Sequence, residues 1–302
     1  MQDKDASTLA TGLTGSPVSP PRELLGEVGS ASYCPAEASD MHPAGLLVVN
    51  GDDWGRDSLT TNRVLECSVR GAVSSVSAMV FMDDSERAAA LAREHGIEAG
   101  LHLNFVTPFS ATGCRSALLE RQGQLARYLL RSRFAQIVFN PGLMRSFEHV
   151  VAAQLDEFHR LYGAEPSRFD GHHHMHLCAN VLCQRLLPLG AMVRRSPSFQ
   201  QHEKSLWNRL YRNALDRRLA RRHQLVDYFF SLAPLEPPSR LQRIYSLARQ
   251  FIVELVVHPI NRDEYQYLMA GEIFRHTGHL HIGAPSAVFK APITSMRDSQ
   301  TH

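Results

Sequence analysis

The hydrophobic pattern becomes regular near Gly45. "GLLVVN" (45–50) is an unbroken apolar run, as expected of a strand buried on both faces. Apolar positions then recur at helical spacing over 60–70, with Val64, Leu65 and Cys67 facing inward. "AVSSVSAMVFM" (72–82) predicts a second strand, and 85–95 a helix capped by Asp83 or Asp84 and closed by Gly96. A third strand is expected at 97–104. Helices follow at 116–137, with Gly123 as a weak point, and at 143–162. A short strand ending near Asp170, a helix over 177–187, a strand at 191–196, a helix over 202–222, a late strand at 251–259 and a helix over 262–275 complete the pattern.

Strands alternating with helices imply a parallel sheet. Repeated over about 250 residues, the unit predicts an α/β fold, a distorted TIM-like (β/α) barrel of mostly parallel strands in a single domain spanning 44–290. A doubly wound open sheet is the rival. Against it, the first strand runs into "GDDWG" and not into a Gly-rich dinucleotide loop.

Composition adds the ends. Residues 1–43 are rich in Ser, Gly, Pro and Ala without periodicity, which predicts a disordered tail, and 291–302 predicts a flexible C-terminus. A net charge of +2 gives no reason to expect nucleic acid as a partner. No apolar run reaches the roughly 18 residues of a membrane span. Five scattered cysteines without a CxxC fit free thiols in a reducing, cytoplasmic setting. The arginine-rich stretch Arg212 to His223 reads as the solvated face of a helix.

The chemistry lies where the strands end. The first delivers Asp52 and Asp53, the third His102 and Asn104, the next Asp170 and His172, the fifth Arg194, and the late strand His258 before Pro259. In a parallel barrel these C-terminal ends converge on one face, the face that carries catalysis. Read as extended backbone, "DGHHHMH" puts His172, His174 and His176 on one side and His173 on the other. A His-His-Asp set with open positions suits a catalytic divalent cation, and Asp170 can orient a ligating ring. The residues alone leave simpler readings open: a helix cap for the acidic pair, a hydrogen-bonded strand histidine for His102, and a polar loop for the histidine run. No GxSxG supports a serine nucleophile.

"VVNGDDWG", "GAVSSVSAMV", "GLHLN", "FDGHHHMH" and "VELVVHP", in this order over about residues 46 to 260, resemble the YdjC-like carbohydrate deacetylases, among them the chitooligosaccharide and hopanoid-associated types. The resemblance implies a metal-dependent hydrolase that removes acetyl from an N-acetylated sugar, an oligosaccharide or a glycolipid. It implies Asp52 as base, Asp53, His102 and His172 as ligands of one divalent cation, magnesium or zinc, and His258 as general acid. His174 and His176 would line the pocket. Departures are Gly51 and Trp54, where the family usually has Ala and Phe; Trp54 could stack on a sugar ring or fill space. Alternatives on the same barrel are a phosphoesterase-like metal hydrolase and a non-catalytic sugar-binding relative. A homodimer is compatible with the chain.

Overall fold

The computed structural model describes residues 45–198, 206–278 and 280–289; the expected tail at 1–43 and C-terminus at 291–302 lie outside the described residues. Among the described residues there are seven strands: β1 (Leu46–Trp54), β2 (Ser75–Ala78), β3 (Ala99–Leu103), β4 (Phe169–Gly171), β5 (Tyr228–Ser231), β6 (Ile252–Val257) and β7 (His281–Ile282). The helices are α1 (Ser58–Val69), α2 (Ser85–Glu94), α3 (Ser116–Arg131), α4 (Arg133–Ile137), α5 (Met144–Tyr162), α6 (Ala179–Gln184), α7 (Leu206–Ala220), α8 (Pro238–Ala248), α9 (Arg262–Met269) and α10 (Glu272–Thr277).

Every strand pair is parallel, in the order β4-β3-β2-β1-β6-β5, and β7 pairs with the first two residues of β1. The two edges, β4 and β5, are linked by the irregular stretch 191–198. Val193 bridges Phe169, Met192 bridges Gln224, and Ser198 N donates to Phe229 O at 2.8 Å. The curled parallel sheet is thus the expected distorted (β/α) barrel. The strand expected at 191–196 is reduced to isolated bridges.

The alternation of side chains explains why this sheet curls around a polar interior. Leu47, Val49, Val76, Leu101, Leu103, Val253, Leu255 and Val257 are buried in the main apolar core. The residues between them on their strands, Asn50, Ser75, Ser77, His102 and Glu254, are also buried, but polar. Period-two alternation therefore sends apolar groups to one face of the sheet and most of the hydrogen-bonding groups to the other, where Leu46 and Val48 of β1 are the apolar exceptions near its start. Val256 joins Met192, Val226 and Phe229 in a separate small apolar cluster.

Several boundaries shift. β1 extends through the acidic pair to Trp54, and the second strand shrinks to four residues. The helix expected at 116–137 breaks at Ser132, whose extended backbone (φ −164°) starts α4, and not at Gly123. The predicted 262–275 helix splits into α9 and α10 around Gly271, at φ 71°. β5, α8 and β7 have no counterpart in the predicted pattern.

Gly51 is the tightest join between β1 and α1. A Cβ there would stand 2.7 Å from Val64 Cγ1, well inside van der Waals contact. Gly51→Ala should lower unfolding free energy by about 1–3 kcal/mol through overpacking. Urea denaturation of Gly51→Ala, Val64→Ala and the double variant checks the cause: the double variant should lose less than the sum of the single losses.

Candidate active site

The acidic pair reaches the interior because β1 is irregular there. Opposite β2, three steps from Gly51 to Trp54 match two from Val76 to Ala78, so one extra residue is accommodated. Asp53 takes φ 62°, a left-handed conformation that costs a non-glycine residue about 1 kcal/mol or more. In a regular strand two neighbours would point to opposite faces. Here both Asp52 and Asp53 are 4% exposed and both reach the surroundings of His102. Neither caps α1; that task falls to Asp57, which accepts from Thr60 N at 2.8 Å.

Asp53 Oδ1 lies 2.8 Å from His172 Nδ1 and 3.4 Å from His102 Nε2. His102 Nδ1 donates to Asp170 Oδ1 at 2.7 Å, which turns Nε2 toward Asp53. A carboxylate behind a ring in this way sets its tautomer and orientation for metal ligation. The donor atoms of Asp53, His102 and His172 all lie within 4.8 Å of one another, close enough to hold a single ion. Protons now hold these imidazole–carboxylate contacts, and a cation would displace them.

Asp52 belongs to a different set. Arg194 donates to both its oxygens, at 2.6 and 2.7 Å, and Asn50 Nδ2 donates at 2.8 Å. Arg194 also donates to Glu254 Oε1 at 2.7 Å and lies 2.9 Å from Asp170 Oδ2. Arg168 completes the group through Asp170 Oδ2 at 2.5 Å and Glu254 Oε1 at 2.7 Å. Gly100 makes room for it, since a Cβ there would stand 2.2 Å from Arg168 Cγ. His258, on the rim after β6, has Nε2 3.8 Å from Asp52 Oδ2, and its backbone N–H donates to Glu264 Oε2 at 2.8 Å.

Charge counting supports a cation here. The buried side chains of the cluster include four carboxylates (Asp52, Asp53, Asp170, Glu254) and two guanidiniums (Arg168, Arg194). With neutral imidazoles that leaves two negative charges, the deficit that one divalent ion balances. Burial alone would raise Asp52 and Asp170, but the charges of Arg194 and His102 together, joined by Arg168 at Asp170 and by hydrogen bonds in both cases, outweigh it, and both carboxyls are held below the usual range. Burial would lower His102; the Asp52 and Asp170 charges overcome it and push the ring up to about 10.

Several expected site residues do other work. Trp54 is fully buried, so it fills the core and does not stack on a sugar. Asn104 spends its amide on the loop after β3: Oδ1 accepts from the Val106 and Thr107 N–H groups and Nδ2 donates to Thr107 O. It is a loop former, not a substrate contact. Arg194 is 1% exposed and holds Asp52 in place without facing solvent. The histidine run is not extended. It is a 3-10 turn with His173 and His174 at φ 53° and 58°, so the alternation argument fails. His176 donates from Nε2 to Arg194 O at 2.9 Å, and burial pushes it down to about 4. It supports Arg194 and does not line a pocket. His173 and His174 are exposed, His174 edge-on to Phe229 with 5.6 Å between ring centroids. The polar partners missed in the sequence are Arg168, Glu254, Asn50, Ser75 and Ser77. A lone Glu inside "VELVV" and the alternation "SVSA" were the available signals.

The model of a family described as YdjC-like protein matches residues 46–276. The chain is 32% identical over 133 residues to a chitooligosaccharide deacetylase of Serratia marcescens, covering 44% of this chain and 51% of that protein. It is 35% identical over 164 residues to a carbohydrate deacetylase of Mus musculus, covering 52% of each. It is 27% identical over 234 residues to a chitooligosaccharide deacetylase of Yersinia pestis (strain Pestoides F), covering 72% of this chain and 83% of that one. The chain spans about half the length of the Serratia and mouse relatives it matches. Among solved structures, a proposed cellobiose-phosphate cleavage protein of Enterococcus faecalis V583 superimposes with a TM-score of 0.57 at 14% identity, covering 82% of this chain and all of that one, a likeness of fold.

Two outcomes follow for the buried cluster. Arg194→Ala leaves Asp52 without a guanidinium, and Asp170 and Glu254 with Arg168 alone, and should cost about 3–5 kcal/mol of stability, measured by chemical denaturation. Asp170 titrates lower folded than unfolded, so its contribution is complete above the unfolded carboxylate pKa of about 3.9 and is lost as pH falls below it. Asp170→Asn should therefore flatten the acid limb of the stability–pH curve.

Proposed function

The chain belongs to the YdjC-like protein family, and on that premise we propose that it is a carbohydrate N-deacetylase, a metal-dependent hydrolase that removes acetyl from an N-acetylated sugar. The observation that carries this reading is the division of the acidic pair: Asp53 meets two histidines, while its neighbour Asp52 is held by Arg194 within 3.8 Å of His258. The names of the matched relatives from Serratia, mouse and Yersinia support the same reaction.

Asp53, His102 and His172 would hold the cation. Two imidazoles and one carboxylate favour zinc or another nitrogen-tolerant ion over magnesium. The ion supplies a Lewis acid for the acyl oxygen. The remaining steps belong to side chains. Asp52 stays ionised through the neutral range because Arg194 stabilises its charge, and it accepts the proton of the attacking water. Its low pKa weakens it as a base; its fixed orientation compensates through placement. His258 is 39% exposed at the rim, reaches the same space as Asp52, and protonates the departing amine. The Glu264 contact and the two Arg63 contacts to the Pro259 and Ile260 carbonyls fix the turn that presents it. Asp170 orients His102. A reducing, cytoplasmic setting is part of the proposal and rests on the scattered spacing of the five cysteines.

Asp52→Asn should lower acetate release from N-acetylglucosamine oligomers by about 100-fold or more while metal content stays near that of the parent. His172→Ala should lose the metal. Full acetate release by either variant, or phosphate release from phosphoesters in place of acetate release, would overturn the assignment.

A further inference from the structure

Helix α7 reads "LWNRLYRNALDRRLA". Trp207, Leu210, Tyr211 and Ala214 recur at i, i+3, i+4 and i+7, the spacing of a stripe that ordinarily faces a core. Here it faces solvent: Trp207 is 83% exposed, Leu210 50% and Tyr211 47%. The inward side carries Leu219 and Asp216, and Asp216 accepts from Arg195 Nη2 at 2.8 Å and from Ser196 N at 2.9 Å. The helix is therefore anchored by Leu219 in the core and by the Asp216 contacts, with an apolar stripe left outward.

A second apolar surface borders it. On α3 and α4, Leu130, Phe134 and Ile137 are 63%, 72% and 50% exposed. Ile137 of α4 and Tyr211 of α7 line one cavity of about 190 Å³ together with His173 and His174. Both surfaces thus flank one opening beside the candidate site. The charge around them has one sign. Residues 206–222 carry six arginines (Arg209, Arg212, Arg217, Arg218, Arg221, Arg222) and one acid, Asp216, which is already engaged.

We propose that this face docks reversibly on an anionic phospholipid bilayer, with Trp207, Leu210 and Phe134 at the headgroup level and the arginines on lipid phosphates. The pairing of large apolar side chains with an arginine-rich flank is that of an interfacial amphipathic helix. A second copy of the chain would set like charges against each other. Nucleic acid would leave the aliphatic Leu130, Leu210 and Ile137 without contacts. No helix among the described residues is long and apolar enough to cross a membrane, so the association is peripheral. It does not depend on the catalytic assignment.

The two tryptophans make the test direct, because Trp54 is fully buried and Trp207 is not. The whole chain is titrated with vesicles of phosphatidylcholine containing about one third phosphatidylglycerol, following tryptophan emission and co-sedimentation. A blue shift, co-sedimentation that weakens with added salt, and neither effect with pure phosphatidylcholine are expected. Trp207→Ser should abolish the shift, and Leu210→Ser should reduce vesicle affinity about tenfold, with unchanged circular dichroism. No binding to anionic vesicles, or equal binding to neutral ones, would overturn the proposal. So would a blue shift that grows with protein concentration in the absence of vesicles, which would assign the face to a second copy.

Discussion

Arg194 is the interaction on which the site depends. It sits inside the barrel at 1% exposure and bonds to Asp52, Asp170 and Glu254, groups brought in by three different strands. A guanidinium is suited to this because its fork presents several donors in one plane and keeps its charge when buried. Without it, those buried carboxylates would repel one another. With Arg168 beside it, the interior holds Asp52 ionised and Asp170 aligned behind His102. Even so, two negative charges remain uncompensated among the buried cluster. That deficit links the packing of the barrel to the proposed chemistry, in which a divalent cation is held by Asp53, His102 and His172.

Much of this was legible in the sequence. Apolar strands that each end in ionisable residues announced a parallel barrel with a polar mouth, and Asp52, Asp53, His102, Asp170, His172 and His258 do converge there. The details that failed share a cause: they depend on backbone conformation that periodicity does not encode. The extra residue in β1 and the left-handed Asp53 bring both carboxylates inward, where alternation separates them. The left-handed turns at His173 and His174 remove the extended geometry on which the histidine run was sorted. Trp54 and Asn104 illustrate a second limit. An aromatic or an amide beside a site motif reads as a substrate contact, yet one fills the core and the other builds a loop. Arg168 and Glu254 illustrate a third, because an interior ion pair is visible only once the strands that bear its partners are neighbours.

The site and the surface around it divide the chain's chemistry. Rigid, fully bonded groups occupy the floor of the barrel, where placement matters most. The rim carries the exposed His173, His174 and the partly exposed His258. Beyond it lies the outward apolar stripe of α7, opposite the Leu219 and Asp216 contacts that hold the helix.

We propose that the barrel interior is built around one divalent cation. The direct measurement is anomalous scattering from crystals of the whole chain grown with zinc. One strong peak per chain is expected in contact with Asp53, His102 and His172, with Asp52 still bound to Arg194. A peak elsewhere, or none in a protein that releases acetate, would contradict it.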